Sequence, residues 1–403
     1  MDMHITLAGV GGGTWDTMTY ECVNALSQAQ CVIGSERLLE MLPSSCTAHR
    51  MKASLPEQVC KKVLEAQEYG PNCVVLYSGD TGFYSGAALF LSVLKTQGLS
   101  ARVLPGISSV QLLAAKLGRS WQDWNLVSAH GKECNPVAEV CSGRPTFFLT
   151  GGCLGPAELC SILTQADLGD LSVWVGEDLS YPNEKITALT AKDCAVRKWT
   201  ALSVLLVDPA PRISKRTPGI EDEAFVRGEV PMTKREVRAA ILSKLAVGPN
   251  DVCWDVGAGT GSVSVELALC AERGQVFAIE CEQRAVELIE ENRKRFKTWN
   301  LAIVPGYAPD ALKTLPAPDV VFVGGSKGKM QDVVQEALTR NPSARICITA
   351  IALETLGAAV KALTVHGLAA QVTQICVNHA YPAGNLHLLM ANNPIFLIAG
   401  NCP

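Results

Sequence analysis

The sequence predicts an α/β protein built as two successive domains, and three observations carry that reading. Short apolar runs alternate with amphipathic helical stretches along most of the chain. The alternation stops over 208–231, where prolines mix with charges of both signs, and then a complete α/β set begins again. At 403 residues the chain also exceeds what one hydrophobic core usually spans. These observations place a first domain at 1–208, a linker at 209–228 and a second domain at 229–403.

In the first domain the apolar runs predict strands over 5–10, 31–34, 73–77, 102–104, 125–128, 146–149, 172–175 and 202–207. Amphipathic stretches such as 57–68 and 86–97 fill the intervals as helices. The second domain opens with a helix over 234–245. Strands follow over 251–256, 275–279, 301–304, 319–323 and 345–349. Two adjacent strands, 386–391 and 395–399, close the chain, joined by an Asn392-Asn393-Pro394 turn. A parallel sheet that finishes in an antiparallel hairpin departs from a plain dinucleotide-binding fold.

Composition narrows the function. Apolar residues make up 48% and charged residues 18%, with a net charge of −4. No run reaches the roughly 18 uninterrupted apolar residues of a membrane span. The opening MDMHITLAGVGGG lacks a basic region and reads as a first strand rather than a signal peptide, so a cytoplasmic location is expected. The cations are scattered, which argues against a broad nucleic-acid surface but leaves a small anionic substrate open. The 16 cysteines form no C-x-x-C pair and no His/Cys ligand run, so they are expected to be reduced packing residues, with no metal site.

The segment VCWDVGAGTGSVSVELAL carries the strongest motif: an apolar strand, then Asp255, Gly257, Ala258, Gly259, Thr260 and Gly261, then a helix. The glycines let backbone approach a ligand and turn sharply, and the helix N-terminus offers N–H groups to a carboxylate. A dinucleotide loop would place its third glycine at 262, where Ser262 stands. The G-x-G-x-G spacing with an acid two residues earlier is instead that of an S-adenosylmethionine loop. Glu280, at the end of the next strand, is positioned to accept both ribose hydroxyl protons. After the third strand, Gly306-Tyr307-Ala308-Pro309 puts Tyr307 where an acid would face adenine, leaving the Ala308 backbone for that contact. The fourth strand ends in Gly324-Gly325-Ser326, not in the Asn-Pro-Pro motif of amino-group methylation. Asn393-Pro394-Ile395-Phe396 imitates that motif but reads as a turn.

Three glycine-rich loops end strands of the first domain: 7–13 with Gly9 and Gly11, 78–83 with Asp80 and Gly82, and 104–109 with Ser108 and Ser109. Such loops can converge on one cleft at the carboxyl edge of a sheet. His130 sits just past a further strand and is expected to line the pocket.

Residues 1–207 resemble the tetrapyrrole-type (class III) methyltransferases that act on carbon 5 of a corrin precursor. The resemblance rests on AGVGGG, GDTGFYSG, PGISSVQ, the pair Trp121 and Trp124, and SAHGK. Residues 229–403 resemble the class I, Rossmann-like methyltransferases that methylate carbon 15 and decarboxylate. Here the matches are MTKREVRA, WDVGAGTGSVSVE, AIE, GYAPDAL, VFVGGS, LETL and NPIF. The first glycine loop departs from the family pattern, with Gly12 for proline and Thr14 for aspartate, and Thr81 follows Gly79-Asp80 where proline is usual.

The resemblance implies two S-adenosylmethionine sites per chain, a tetrapyrrole acid as substrate, loss of a ring C acetate carboxyl group in cobalamin biosynthesis, and a homo-oligomer. It also implies that Thr233 touches the cofactor. Because a polycarboxylate needs fixed cations, Lys234, Arg235, Arg238, Lys327 and Lys329 are expected to bind substrate. No catalytic acid or base is assigned, since an activated donor chiefly needs alignment and exclusion of water. Three other readings stand beside this one: a cobalt-containing substrate, an RNA or protein methyltransferase, and a non-catalytic tetrapyrrole carrier.

Overall fold

The computed structural model describes residues 3–130, 134–152, 154–211 and 217–401. The chain divides into two compact units, one made of 1–134, 144–165 and 169–209, the other of 135–143, 166–168 and 210–403.

The first unit contains two sheets. Strands β1 (His4–Gly9), β2 (Cys31–Gly34), β3 (His49–Lys52), β4 (Asn72–Tyr77) and β5 (Ala101–Leu104) form one, in the order β3-β2-β4-β1-β5. Every pairing in it is parallel. Both faces of such a sheet are covered, so β2 and most of β4 are buried without alternation. Strands β6 (Asn125–Ser128), β7 (Thr146–Leu149), β8 (Ser172–Glu177), β9 (Lys185–Thr190) and β10 (Ser203–Val207) form the other, in the order β6-β7-β10-β8-β9. Only β6 and β7 are parallel there.

The second unit is built on a seven-stranded sheet. Its strands are β11 (Val252–Val256), β12 (Gln275–Glu280), β13 (Leu301–Pro305), β14 (Val320–Val323), β15 (Arg345–Ala350), β16 (Gln371–Ile375) and, after a separate hairpin of β17 (Asn378–Ala383) and β18 (Leu386–Ala391), β19 (Ile395–Gly400). The order is β13-β12-β11-β14-β15-β19-β16, with β19 antiparallel to both neighbours. Two apolar layers flank the sheet, one containing Ile241, Val265 and Leu267, the other Trp254, Val333 and Leu363.

The closing hairpin differs from the expectation. Strand β18 pairs with β17, and Asn392 N–H extends that pairing to the Val377 carbonyl at 3.0 Å. After the Asn-Pro turn the chain leaves the hairpin, and β19 inserts between β15 and β16. All six β18 residues are exposed, whereas Leu397, Ile398 and Ala399 of β19 are fully buried.

Part of the stretch read as linker is also packed. Ile220 and Phe225 lie in the core of the second unit, and Asp222–Ala224 forms a 3-10 turn. Their prolines and charges hid this. Asp222 joins a buried network through Arg238, while Glu221, Glu223 and Arg227 stay exposed. Among the described residues no helix is long and apolar enough to cross a membrane.

Candidate functional site

In the first unit the three glycine loops leave β1, β4 and β5, which are adjacent in the sheet. They interlock backbone to backbone. Gly11 and Gly79 exchange N–H···O bonds of 3.2 and 2.8 Å. A Cβ on Gly106 would lie 2.2 Å from the Gly79 carbonyl oxygen and 2.5 Å from that of Gly9. Asp80 braces the junction, its carboxylate accepting from Gly82 N–H at 2.7 Å and Gly106 N–H at 3.1 Å. The Gln111 side chain accepts from Ser108 N–H at 2.8 Å and so caps the Ser109–Leu117 helix.

These loops form one wall of a cavity of about 370 Å³. Gly11, Asp80, Ser108, Ser109 and His130 line it, so the structure brings five predicted residues together. Gly9 and Gly82 do not line it. Gly9 is a packing glycine whose Cβ would meet Gly106 N at 2.7 Å, and Gly82 serves as partner to Asp80. His130 packs against Gly151, where a Cβ would fall 1.9 Å from Nδ1. Gly131 and Lys132 of the SAHGK motif lie outside the described residues.

Sequence reasoning missed further residues that line it, among them Arg37, Thr150, Asp178 and Tyr181. Asp178 and Ser180 hold φ of 47° and 74°, a left-handed backbone unusual for residues with a Cβ. That turn accounts for Gly12 standing where the family has proline, and nothing in the structure explains Thr14. A Cβ on Gly12 would come within 2.3 Å of Ser180 Oγ, and one on Gly13 within 2.1 Å of the Tyr181 hydroxyl. The Asp-Leu-Ser-Tyr-Pro run at 178–182 was the available signal.

In the second unit the loop after β11 lies between the ends of β12 and β14, where the strand order reverses. Gly257, Gly259 and Gly261 have φ of 72°, 57° and 75°. At Gly257 the need for glycine is steric as well, since a Cβ would sit 2.4 Å from the Gly325 carbonyl oxygen. Gly257 and Ala258 N–H both reach the Ile279 carbonyl, at 3.0 and 3.2 Å. The Thr260 carbonyl is held by Asn292 at 2.9 Å, and its buried hydroxyl has no partner.

Asp255 is fully buried beneath the loop and accepts a hydrogen bond from the Ser264 hydroxyl. Its other carboxylate oxygen is buried without a partner. Burial pushes its carboxyl up to about 7, the Ser264 hydrogen bonds pull against that, and the Glu280 charge adds to the rise.

Glu280 stands at the end of β12 as expected, but its carboxylate is already engaged. Gly259 N–H donates to one oxygen at 2.8 Å, and Cys281 and Glu282 N–H donate to the other at 2.8 and 2.9 Å. A carboxylate offers about four lone-pair directions. Cys281 Sγ also lies 3.6 Å from the oxygen shared by the two amides, so the oxygen that accepts from Gly259 N–H alone is the one with room for a ribose hydroxyl.

The cations fare unevenly. Arg238 is not a substrate residue: it has no exposed surface and is bound by Glu266, Asp222 and the carbonyls of Thr233 and Ile220. The helix that seemed to offer it to solvent buries this face against the Ser262–Cys270 helix. Lys234 pairs with Asp222 at 3.6 Å and Arg235 with Glu221 at 2.5 Å. Lys327 pairs with Glu282 at 2.5 Å and lies 5.3 Å from the exposed Tyr307 ring. Lys329 pairs with Asp332 at 3.8 Å. Thr233 follows the segment 230–232, whose Pro231 carbonyl lies 3.3 Å from where a Gly259 Cβ would be. Ala308 packs against the Trp254 layer and is joined to Pro309 by a cis peptide bond.

Family models match both parts of the chain. One describing tetrapyrrole (corrin/porphyrin) methylases matches residues 4–195, and one describing a precorrin methyltransferase domain matches residues 223–400. A precorrin-6Y C(5,15)-methyltransferase (decarboxylating) from Sinorhizobium sp is 33% identical over 341 residues, which is 83% of this chain and 80% of that protein. A probable cobalt-precorrin-6B C(15)-methyltransferase (decarboxylating) from Pyrobaculum calidifontis is 42% identical over 185 residues, 45% of this chain and 95% of that one. The crystal structure of precorrin-6Y C5,15-methyltransferase from Geobacter metallireducens shares 34% identity, with a TM-score of 0.44, over 45% of this chain and 97% of the other.

Proposed function

The chain belongs to the precorrin-6Y C(5,15)-methyltransferase (decarboxylating) family, and from that membership we propose that each compact unit holds its own methyl-donor site. The first would methylate carbon 5 of the precorrin macrocycle. The second would methylate carbon 15 and release the ring C acetate carboxyl group as carbon dioxide. One observation carries the assignment: a single relative is similar across most of the chain, and both glycine-loop clusters fall in the parts matched by methyltransferase families.

The residues present fit S-adenosylmethionine. The second loop is kept clear of side chains by Gly257, Gly259 and Gly261, and the unpartnered buried oxygens of Asp255 and Thr260 lie beneath it. The cofactor supplies an activated methyl group on a sulfonium. The protein is left to orient donor and macrocycle and to exclude water. Glycine backbone and the helix N-terminus at Ser262 favour a carboxylate, and Glu280 offers one acceptor toward a ribose. For decarboxylation the departing electron pair flows into the conjugated ring, so the chain needs only to orient and partly desolvate that carboxylate.

A homo-oligomer is part of this reading. It is supported by the exposed apolar side chains of the hairpin, with Leu386, Leu388 and Met390 on one face and Leu389 on the other. Light scattering of the purified chain tests it, and a monomer at micromolar concentration would refute it. A cytoplasmic location and a site without nucleic acid complete the proposal.

The deciding experiment is incubation with S-adenosylmethionine and either the metal-free or the cobalt-containing precursor, read by mass spectrometry. Gain of two methyl groups with loss of one carbon dioxide supports the assignment. Gain of only one methyl group would confine the activity to one unit. The cobalt form stays a second reading because relatives of the second unit carry cobalt-precorrin names.

A further inference from the structure

Arg37 lies in the short Glu36–Glu40 helix that follows β2, and its guanidinium lines the cavity of the first unit. Nη1 donates to the Tyr181 hydroxyl at 2.8 Å and Nη2 to Ser78 Oγ at 3.1 Å. Both partners are neutral. Among the described residues no carboxylate lies within ion-pair distance of Arg37, although its helix neighbour Glu36 pairs with Lys52 at 2.5 Å.

The acids lining the same cavity are occupied elsewhere. Asp80 holds two backbone amides, and Asp178 accepts from Asn183 Nδ2 at 2.7 Å. The remaining titratable groups on its walls are His130, Tyr77, Tyr84 and Tyr181. Among the described residues, Arg37 is therefore the half-buried, permanently charged group of this wall, and it has no counter-ion. Guanidinium carries five N–H donors in a planar fork. Two bonds to hydroxyls fix the fork and leave donors free.

The fixing is elaborate. Tyr181 keeps its position because Gly13 has no side chain there. The 178–181 turn is further held by Glu184, which accepts from Ser180 N–H at 2.7 Å and pairs with Lys116 at 2.6 Å. An arginine oriented by neutral groups at a cavity wall is suited to bidentate binding of a carboxylate.

We propose that Arg37 is the carboxylate anchor of the first cavity, and that it sets the macrocycle over the carbon 5 methylation site by binding one of its acidic side chains. This rests on the reading of that cavity as the carbon 5 site. The same chemistry would serve the methionyl carboxylate of the donor, and the experiment separates the two sources.

Full-length wild type, Arg37→Gln and Arg37→Lys are compared after thermal denaturation has shown which remain folded. Kinetics of carbon 5 methylation give KM and kcat for the macrocycle. Calorimetric titration with S-adenosylhomocysteine reports the donor site. Fluorescence titration with an octacarboxylate porphyrin reports anion anchoring without turnover.

Arg37→Gln should raise the macrocycle KM about tenfold or more with kcat nearly unchanged, the pattern of lost uniform binding. It should weaken the porphyrin to a similar degree, most strongly at low salt. Nucleoside affinity should not move. Arg37→Lys keeps the charge without the fork and should fall between, and it carries the comparison if the glutamine variant melts early. Weakened nucleoside binding with an unchanged macrocycle KM would give the anchor to the donor. Wild-type values in all three measurements would overturn the proposal. Failure of the wild-type chain to methylate carbon 5 would refute the functional reading instead, and the porphyrin titration would still decide Arg37.

Discussion

Arg238 and Glu266 form an ion pair in which neither side chain retains exposed surface, with Nε donating to Oε1 at 2.8 Å. Glu266 also accepts from Thr217 Oγ1 at 2.9 Å and Gly219 N–H at 2.8 Å. The guanidinium lies 4.8 Å from the Phe225 ring and donates to Asp222. One pair thus fastens the 217–225 segment to the core of the second unit. Removing Arg238 leaves the Glu266 carboxylate buried without a counter-charge, and removing Glu266 leaves the guanidinium to Asp222 alone; losing one partner of a buried pair costs up to about 3–5 kcal/mol. Glu266→Ala should therefore lower the urea midpoint of the second unit markedly. The double change Glu266→Leu with Arg238→Met should cost less than the two single losses added. Strict additivity would show that the pair does not act as a unit.

Gly257 and Gly325 give a steric prediction. With a Cβ 2.4 Å from a backbone oxygen and φ of 72°, alanine at 257 forces the loop after β11 away from the loop after β14. Gly257→Ala should abolish nucleoside binding in the second unit and spare the first. If each unit holds its own donor site, as proposed, calorimetric stoichiometry should drop from two S-adenosylhomocysteine sites to one, and carbon 15 methylation should vanish while carbon 5 methylation continues.

Glu280 is expected to matter through the loop as much as through the ribose. Glu280→Ala deprives Gly259, Cys281 and Glu282 N–H of their acceptor. Donor affinity in the second unit should fall about 100-fold or more, since hydrogen bonds to a charged acceptor contribute about 1.5–3 kcal/mol each. Glu280→Gln keeps one acceptor oxygen and should lose less. Equal losses in the two variants would mean that the charge matters and the loop bonds do not.

The loss in the sequence reading follows burial. Strands buried on both faces, such as Cys31–Gly34 and Val320–Val323, are uninterrupted apolar runs and were legible. The missed strands are β3, β9 and β16 at sheet edges and β17 in the exposed hairpin. They carry residues such as His49, Arg50, Lys185 and Gln374, as edges exposed to water do. Glycine loops were legible because close backbone approach leaves few alternatives to glycine. Arg37 and Tyr181 were not, because 144 residues separate them and neither belongs to a recognisable local pattern. Arg238 misled for a related reason. A charged residue near a domain start looks solvated until the helix that covers it is known.

Asp255 yields a pH dependence whose sign is fixed by its surroundings. Burial raises its carboxyl from an ordinary 3.8 to about 7, against the pull of Ser264. Between those values the folded chain keeps a proton that the unfolded chain has lost. Stability from this group is therefore complete below about pH 4, declines as pH rises toward 7, and is flat above. Asp255→Asn has no proton to lose. Relative to wild type, its stability should improve across that window by an amount on the order of a few kcal/mol. Ser264→Ala removes the opposing hydrogen bond, so its decline should extend above pH 7. Urea unfolding of the three chains at several pH values between about 4 and 8 measures this. A wild-type-minus-Asn difference that stays constant across the window would mean that Asp255 is ionised throughout, held by a counter-charge or by water in its unpartnered oxygen's place.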